Sequence, residues 1–198
     1  MYKINELPTP CFVIDEGKLE ENLKILHQVE ERTGAKILLA QKCFSCFSEY
    51  PLIGKYISGT TASGLYEAQL GKEEMGLENH VYSPAYRPQD MEELAQICDH
   101  IIFNSEKQLR TYLPVLKASG TAKAGLRINP ECSTQEGHAI YDPVRPAPAW
   151  ASAPAILQTN WLILWTVFIF IPSVNRIRMI WKPRCAPWKK NSASGFLK

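Results

Sequence analysis

The stretch GTTASGLYEAQLGKEEMGLENHVYSPAY, Gly59 to Tyr86, reads as strand, helix, strand. GTTAS has the β-branched content of a strand, and Ser63 is placed to cap the helical LYEAQLGKEEMG that follows. HVYSPA then resumes a strand pattern. Two strands with a helix between them make a βα unit, which implies parallel pairing. Outward from this unit the same alternation continues both ways. Upstream, KILLAQK reads as a strand and CFSEYPLIGKYI as helical. Before them, TPCFVID is a short apolar run that predicts a first strand. Asp15 is placed to cap a helix carrying Leu19, Leu23, Leu26 and Val29 on one face and ending at Gly34. Downstream, PQDMEELAQI predicts a helix and HIIFN a strand. Ser105 and Gln108 have capping-box spacing for a helix through Lys117, and AGLRINP makes a sixth strand.

Strands thus recur roughly every 20 to 25 residues with helices between, an α/β pattern. The spacing suits a doubly wound sheet and a closed barrel equally. No GxGxxG follows the first strand, which weighs against dinucleotide binding. A barrel carries its chemistry at the carboxyl ends of its strands, and Lys42 sits at such an end.

The chain has 198 residues, enough for one domain or one domain and a fragment, and 45% of them are hydrophobic. Its net charge of +2 indicates no nucleic-acid partner. That average hides a break near Pro143. Residues 1–143 hold all 20 acidic residues against 14 Lys and Arg, a net of −6. Residues 144–198 hold eight basic residues and none that is acidic, a net of +8. All four His and all eight Tyr precede the break, and all five Trp follow it. Natural domain boundaries do not sort residue types this way. The six cysteines sit mostly in apolar patterns that predict packing rather than a disulfide framework. MYKINELPTP has no apolar core of a signal peptide, so a cytoplasmic protein is expected.

Lys42 has two readings. It is a strand-end lysine reaching solvent, or a Schiff-base lysine whose apolar surroundings favour the free amine. Cys43 and Cys46 spell CxxC, a pattern of zinc or thiol-redox sites. No second ligand pair accompanies them and a redox site wants small turn residues at a helix start, so packing is expected and no metal site. Arg127, inside the sixth expected strand, is either a buried ion-pair member or an anion or cofactor contact. Tyr82, Ser83 and Tyr86 line a pocket or merely pack and cap. His138 and Asp142 fall on a loop without forming a motif.

TPCFVIDEGKLEENLKIL, ILLAQKCFS, ASGLYEAQLGKEEMG, HVYSPAY, HIIFNSEKQL and LRINPE, in this order, resemble the amino-terminal half of the carboxynorspermidine/carboxyspermidine decarboxylases. The resemblance covers residues 1–143. It implies a pyridoxal-phosphate-binding (β/α)8 barrel of the alanine racemase type, here lacking its last strands and its carboxy-terminal β domain. It further implies that Lys42 holds pyridoxal phosphate, with Arg127 as a second cofactor contact. The implied reaction is decarboxylation of carboxynorspermidine or carboxyspermidine to norspermidine or spermidine, by an enzyme that is a homodimer in its intact form. This chain is expected to bind the cofactor weakly and not to turn over. A non-catalytic pyridoxal-phosphate-binding barrel protein is the alternative within the same fold.

Residues 144–198 do not resemble the family. A reading frame shifted by one base permits family-like sequence there. Trp165–Thr166 then forces aspartate, and Phe168–Ile169 and Phe170–Ile171 each allow only histidine or tyrosine. The shifted frame from Trp165 permits DGLHFHTLCEQN, a family-like strand, and just after Pro143 it permits CAPGSRLG. A one-base deletion at codons 143–144 is therefore expected, with 144–198 a non-native tail. The rival is a membrane anchor over Ala153 to Val174, about the 20 residues a span needs. Gln158, Thr159 and Asn160 interrupt it, and an anchor does not explain the lost acids.

Overall fold

The computed structural model describes residues 6–127 and the strand Val167–Ile169. Helix α1 (Glu16–Thr33) precedes strand β1 (Leu38–Ala40). A 3-10 turn, Phe47–Glu49, leads into the short α2 (Tyr50–Ile53). Then come β2 (Gly59–Ala62), α3 (Leu65–Glu74) and β3 (Glu78–Tyr82). A second 3-10 turn, Pro88–Asp90, opens α4 (Met91–Ile97), followed by β4 (His100–Phe103), α5 (Glu106–Ser119), β5 (Lys123–Arg127) and β6 (Val167–Ile169).

The six strands form one sheet in strictly sequential order, and every neighbouring pair is parallel. That order decides between the two architectures. A doubly wound sheet reverses its strand order at a switch point, where its ligand binds. A sheet that adds each new strand on the same side is the wall of a βα barrel. The helices cover one face, where Val81, Ile101, Phe103 and Leu126 pack with Met91, Leu94, Leu109 and Leu116. Alternation along each strand turns Glu78, His80, Tyr82 and Arg127 to the other face. A smaller cluster of Leu23, Tyr50, Ile53 and Ile57 joins α1 to α2.

Close helix–strand contact depends on one glycine. A Cβ at Gly71 in α3 would lie 2.4 Å from Thr60 Oγ1 and 2.9 Å from Gln41 Nε2. Next to it, the fully buried Asn79 joins β2, α3 and α4. Its Nδ2 donates to Ala68 O (2.8 Å) and Ile97 O (3.3 Å), while its Oδ1 accepts from Thr60 Oγ1 (3.3 Å). The buried polar side chain is thus hydrogen-bonded, as burial requires.

Several expectations are corrected. TPCFVID is not a strand: no strand lies beside it among the described residues, and Phe12, Val13 and Ile14 are exposed. The sixth expected strand is therefore β5. Asp15 caps α1 by accepting from Lys18 N (3.1 Å), and Gly34 ends it with φ of 69°. Of the helix's apolar face only Leu23 is fully buried, and Leu26 and Val29 remain exposed. Gly64, not Ser63, is the N-cap of α3, and Ser63 instead donates its N–H to Glu67 Oε2 (2.6 Å). The α5 box closes on a shifted donor. Ser105 Oγ accepts from Gln108 N (3.2 Å), but Gln108 Oε1 accepts from Asn104 N (2.9 Å). Among the described cysteines only Cys98 is buried, while Cys11 and Cys43 are exposed.

Candidate active site

The carboxyl ends of the strands carry both residues singled out by the sequence. β1 ends at Ala40, and a turn follows in which Cys43 N donates to Ala40 O at 2.9 Å. Gln41, fully buried, lies against the position of Gly71 in α3 and accepts from Tyr50 Oη (3.3 Å). Lys42 comes next, in the turn, and is exposed. The expected desolvated amine is therefore not found among the described residues. The strand stops two residues short of Lys42, and the buried place at this strand end goes to Gln41.

Arg127 is the last residue of β5 and is only 6% exposed. Its Nη1 donates to Tyr82 Oη at 2.6 Å, and Tyr82 Oη in turn donates to Asn104 Oδ1 at 2.9 Å. The guanidinium carbon lies 5.0 Å from the centroid of the Tyr82 ring, within cation–π range. Among the described residues no carboxylate lies within salt-bridge distance of Arg127. Of its two readings, the ion pair is thus absent there. A buried guanidinium held by a neutral phenol keeps its affinity for an anion. Exposed Lys42 and buried Arg127 thus lie at the same end of one sheet.

Tyr86 proves to be structural. Its hydroxyl donates to Ile102 O (2.8 Å) and accepts from Ser83 N (3.0 Å), and burial pushes its phenol well above the ordinary value. Ser83 Oγ donates to Ala85 O at 2.9 Å, and Ser83 and Tyr86 border a groove of about 230 Å³. Cys46 Sγ meets Ser48 Oγ at 3.2 Å, and neither Cys43 nor Cys46 joins a metal-ligating group among the described residues. His138 and Asp142 lie outside the described residues, as does 144–198 apart from β6. Among the described residues no helix is long and apolar enough to cross a membrane.

One cluster escaped the sequence reading. Glu78, His80 and His100 gather at the amino ends of β3 and β4, opposite the candidate active site. The signal was present in ENHVY and DHIIF. Glu and His two apart share a strand face, and each strand carries a histidine just before its apolar run.

No protein-family profile matches the chain. It is 41% identical over 140 residues to a carboxynorspermidine/carboxyspermidine decarboxylase of Herminiimonas arsenicoxydans, covering 71% of this chain and 37% of that protein. It is 40% identical over 141 residues to a carboxyaminopropylagmatine decarboxylase of Synechocystis, covering 71% and 36%. Among solved structures, carboxynorspermidine decarboxylase from Campylobacter jejuni, complexed with norspermidine, superposes with a TM-score of 0.79 at 27% identity. That match covers 95% of this chain and 47% of the other. D-threonine aldolase from Filomicrobium marinum shares the fold with a TM-score of 0.67 at 15% identity, covering 97% and 53%. The chain thus spans little more than a third of the length of the curated relatives it matches. The sheet order, the covering helices and these superpositions identify the described part as an alanine-racemase-type barrel, incomplete in its strands. By sequence and by fold together, the chain is similar over its matched length to an amino-terminal part of the carboxynorspermidine/carboxyspermidine decarboxylases.

Proposed function

We propose that the chain derives from a pyridoxal-phosphate-dependent decarboxylase of polyamine synthesis, cytoplasmic and homodimeric in its intact form. Its substrate would be carboxynorspermidine or carboxyspermidine. The observation that carries this reading is the placement of Lys42 and Arg127 at the carboxyl ends of β1 and β5, in a chain about 40% identical over its matched length to such decarboxylases. Lys42 would hold the cofactor covalently through its amine, and Arg127, fixed by Tyr82, would orient an anionic group. The cofactor, when bound, supplies the sink for the electron pair left behind as carbon dioxide departs. The carboxyaminopropylagmatine relative, at nearly equal identity, widens the substrate to carboxylated aminopropyl amines as a class.

The matched length in three relatives is 138 to 141 residues, about the length that precedes Pro143. This supports the division at 143. The test uses the chain as it is. Incubation with pyridoxal phosphate, reduction with borohydride and peptide mass spectrometry should place the label on Lys42 ahead of the other lysines, without carbon dioxide release from carboxynorspermidine. Lys42→Ala should remove that label. Label spread evenly over exposed lysines would overturn the assignment of Lys42.

A further inference from the structure

At the amino ends of β3 and β4, Glu78 Oε1 lies 2.8 Å from His80 Nε2 and 3.5 Å from His100 Nδ1. The two imidazoles face each other across the ladder, where His80 and His100 are register partners, with ring centroids 4.3 Å apart. One ligand atom from each of the three residues lies within 4.8 Å of the other two. The side chains are nearly enclosed, with exposures of 12% for each histidine and 16% for Glu78. Among the described residues none reaches His100 Nδ1 with hydrogen-bond geometry. The second carboxylate oxygen of Glu78, Oε2, accepts from Lys36 Nζ.

We propose that Glu78, His80 and His100 form a binding site for a divalent cation of the zinc class, separate from the Lys42 end of the barrel. Two imidazoles and one carboxylate are a recurrent zinc ligand set that leaves a fourth position for water. Zinc binds such ligands at about 2.0–2.1 Å, and tetrahedral angles then put ligand atoms roughly 3.3 Å apart. The two separations from Glu78, 2.8 and 3.5 Å, bracket that value, and the third lies within 4.8 Å.

Burial and the neighbouring His80 hold His100 below the ordinary histidine value. Burial pushes Glu78 up, but the hydrogen bonds and charges of Lys36 and His80 outweigh it, and its carboxyl stays below the usual range. Lys36 fixes the oxygen that faces away from the histidines, as an outer partner of a ligating carboxylate does. A cation here would clamp β3 to β4 at the end of the barrel that carries no candidate chemistry.

The test is a titration of the 198-residue chain with Co²⁺, whose spectrum distinguishes ligand types. The expected result is one equivalent bound, with visible d–d bands, no thiolate charge-transfer band in the near ultraviolet, and displacement by Zn²⁺. His80→Ala and His100→Ala should each weaken binding by more than the roughly 10–100-fold that losing an outer partner costs. Cys43→Ser should leave the spectrum unchanged. His100→Gln, which keeps the volume and polarity of the position, serves beside His100→Ala, with circular dichroism confirming the fold. Zn²⁺ should also raise the urea midpoint of the wild-type chain and not that of His100→Gln. The proposal is overturned by the absence of d–d bands at excess Co²⁺. A thiolate band that Cys43→Ser removes, or binding unchanged in the folded His100→Gln chain, overturns it equally.

Discussion

At the scale of the residue, burial decides what each titratable group does. Cys98 caps the carboxyl end of α4, and burial, with Asp99 beside it, pushes its thiol up to about 12. A raised folded-state value favours the protonated form, so its contribution to stability is complete below the unfolded value, about 8.5. It is lost as pH rises from there towards 12. Cys98→Ala should therefore flatten the fall of the urea midpoint above about pH 8.5, and an unchanged alkaline slope would refute the assignment. Cys11 and Cys43, being exposed, should react with iodoacetamide in the folded chain while Cys98 waits for denaturant. Tyr82 offers a second check. Tyr82→Phe takes the hydroxyl from a buried guanidinium and should cost about 1.5–3 kcal/mol, the worth of a hydrogen bond to a charged group. A loss near zero in urea unfolding would mean that Arg127 finds another acceptor. The identity of Lys42 as a candidate was legible in the sequence because an ammonium behind Ile37, Leu38, Leu39 and Ala40 is conspicuous. Its exposure was not, because the end of a strand is fixed by pairing: β1 stops at Ala40, opposite Thr61.

At the scale of the element, contacts between helix and sheet override helix propensity. Gly71 lies inside α3, where alanine would ordinarily be preferred by about 1 kcal/mol. Here the added methyl meets Thr60 Oγ1 at 2.4 Å and Gln41 Nε2 at 2.9 Å. Gly71→Ala should therefore destabilise by about 1–3 kcal/mol, the cost of overpacking. The sign of the change in urea midpoint separates the two effects, and a stabilised variant would show that α3 does not press on β2 as described. The elements themselves were largely readable. Caps such as Asp15 and Gly34 act through neighbours in sequence, so α1 could be bounded from the chain alone. TPCFVID failed for the opposite reason. An apolar run becomes a strand only beside another strand, and sequence pattern does not supply the partner. The Glu78, His80 and His100 cluster is a failure of the same kind, since it needs the register that sets His80 against His100.

At the scale of the whole molecule, the spacing of strands and helices left two architectures open, and only the sequential order of the sheet selected the barrel. The same wall gives the break at Pro143 a structural meaning. β5 ends at Arg127, and the next described strand, Val167–Ile169, pairs parallel with it in the slot where a sixth barrel strand belongs. In the shifted frame those positions lie within GLHFH, a strand-like run. Phenylalanine and isoleucine codons are rich in thymine, so a one-base shift keeps much of the apolar character while changing every residue. An apolar segment at this place is what a displaced frame would leave, in a tail without Asp, Glu, His or Tyr. Resequencing the DNA across codons 140–185 tests this directly. An additional base near codon 143, whether in the gene or reinserted by design, should yield a longer chain whose resemblance to the decarboxylases runs on past residue 143. That chain should release carbon dioxide from carboxynorspermidine, and its Lys42→Ala variant should not. An intact gene whose shifted frame soon meets a stop codon would sink the frameshift. Residues 144–198 would then need a role of their own, and a tail that partitions with lipid vesicles would favour the anchor.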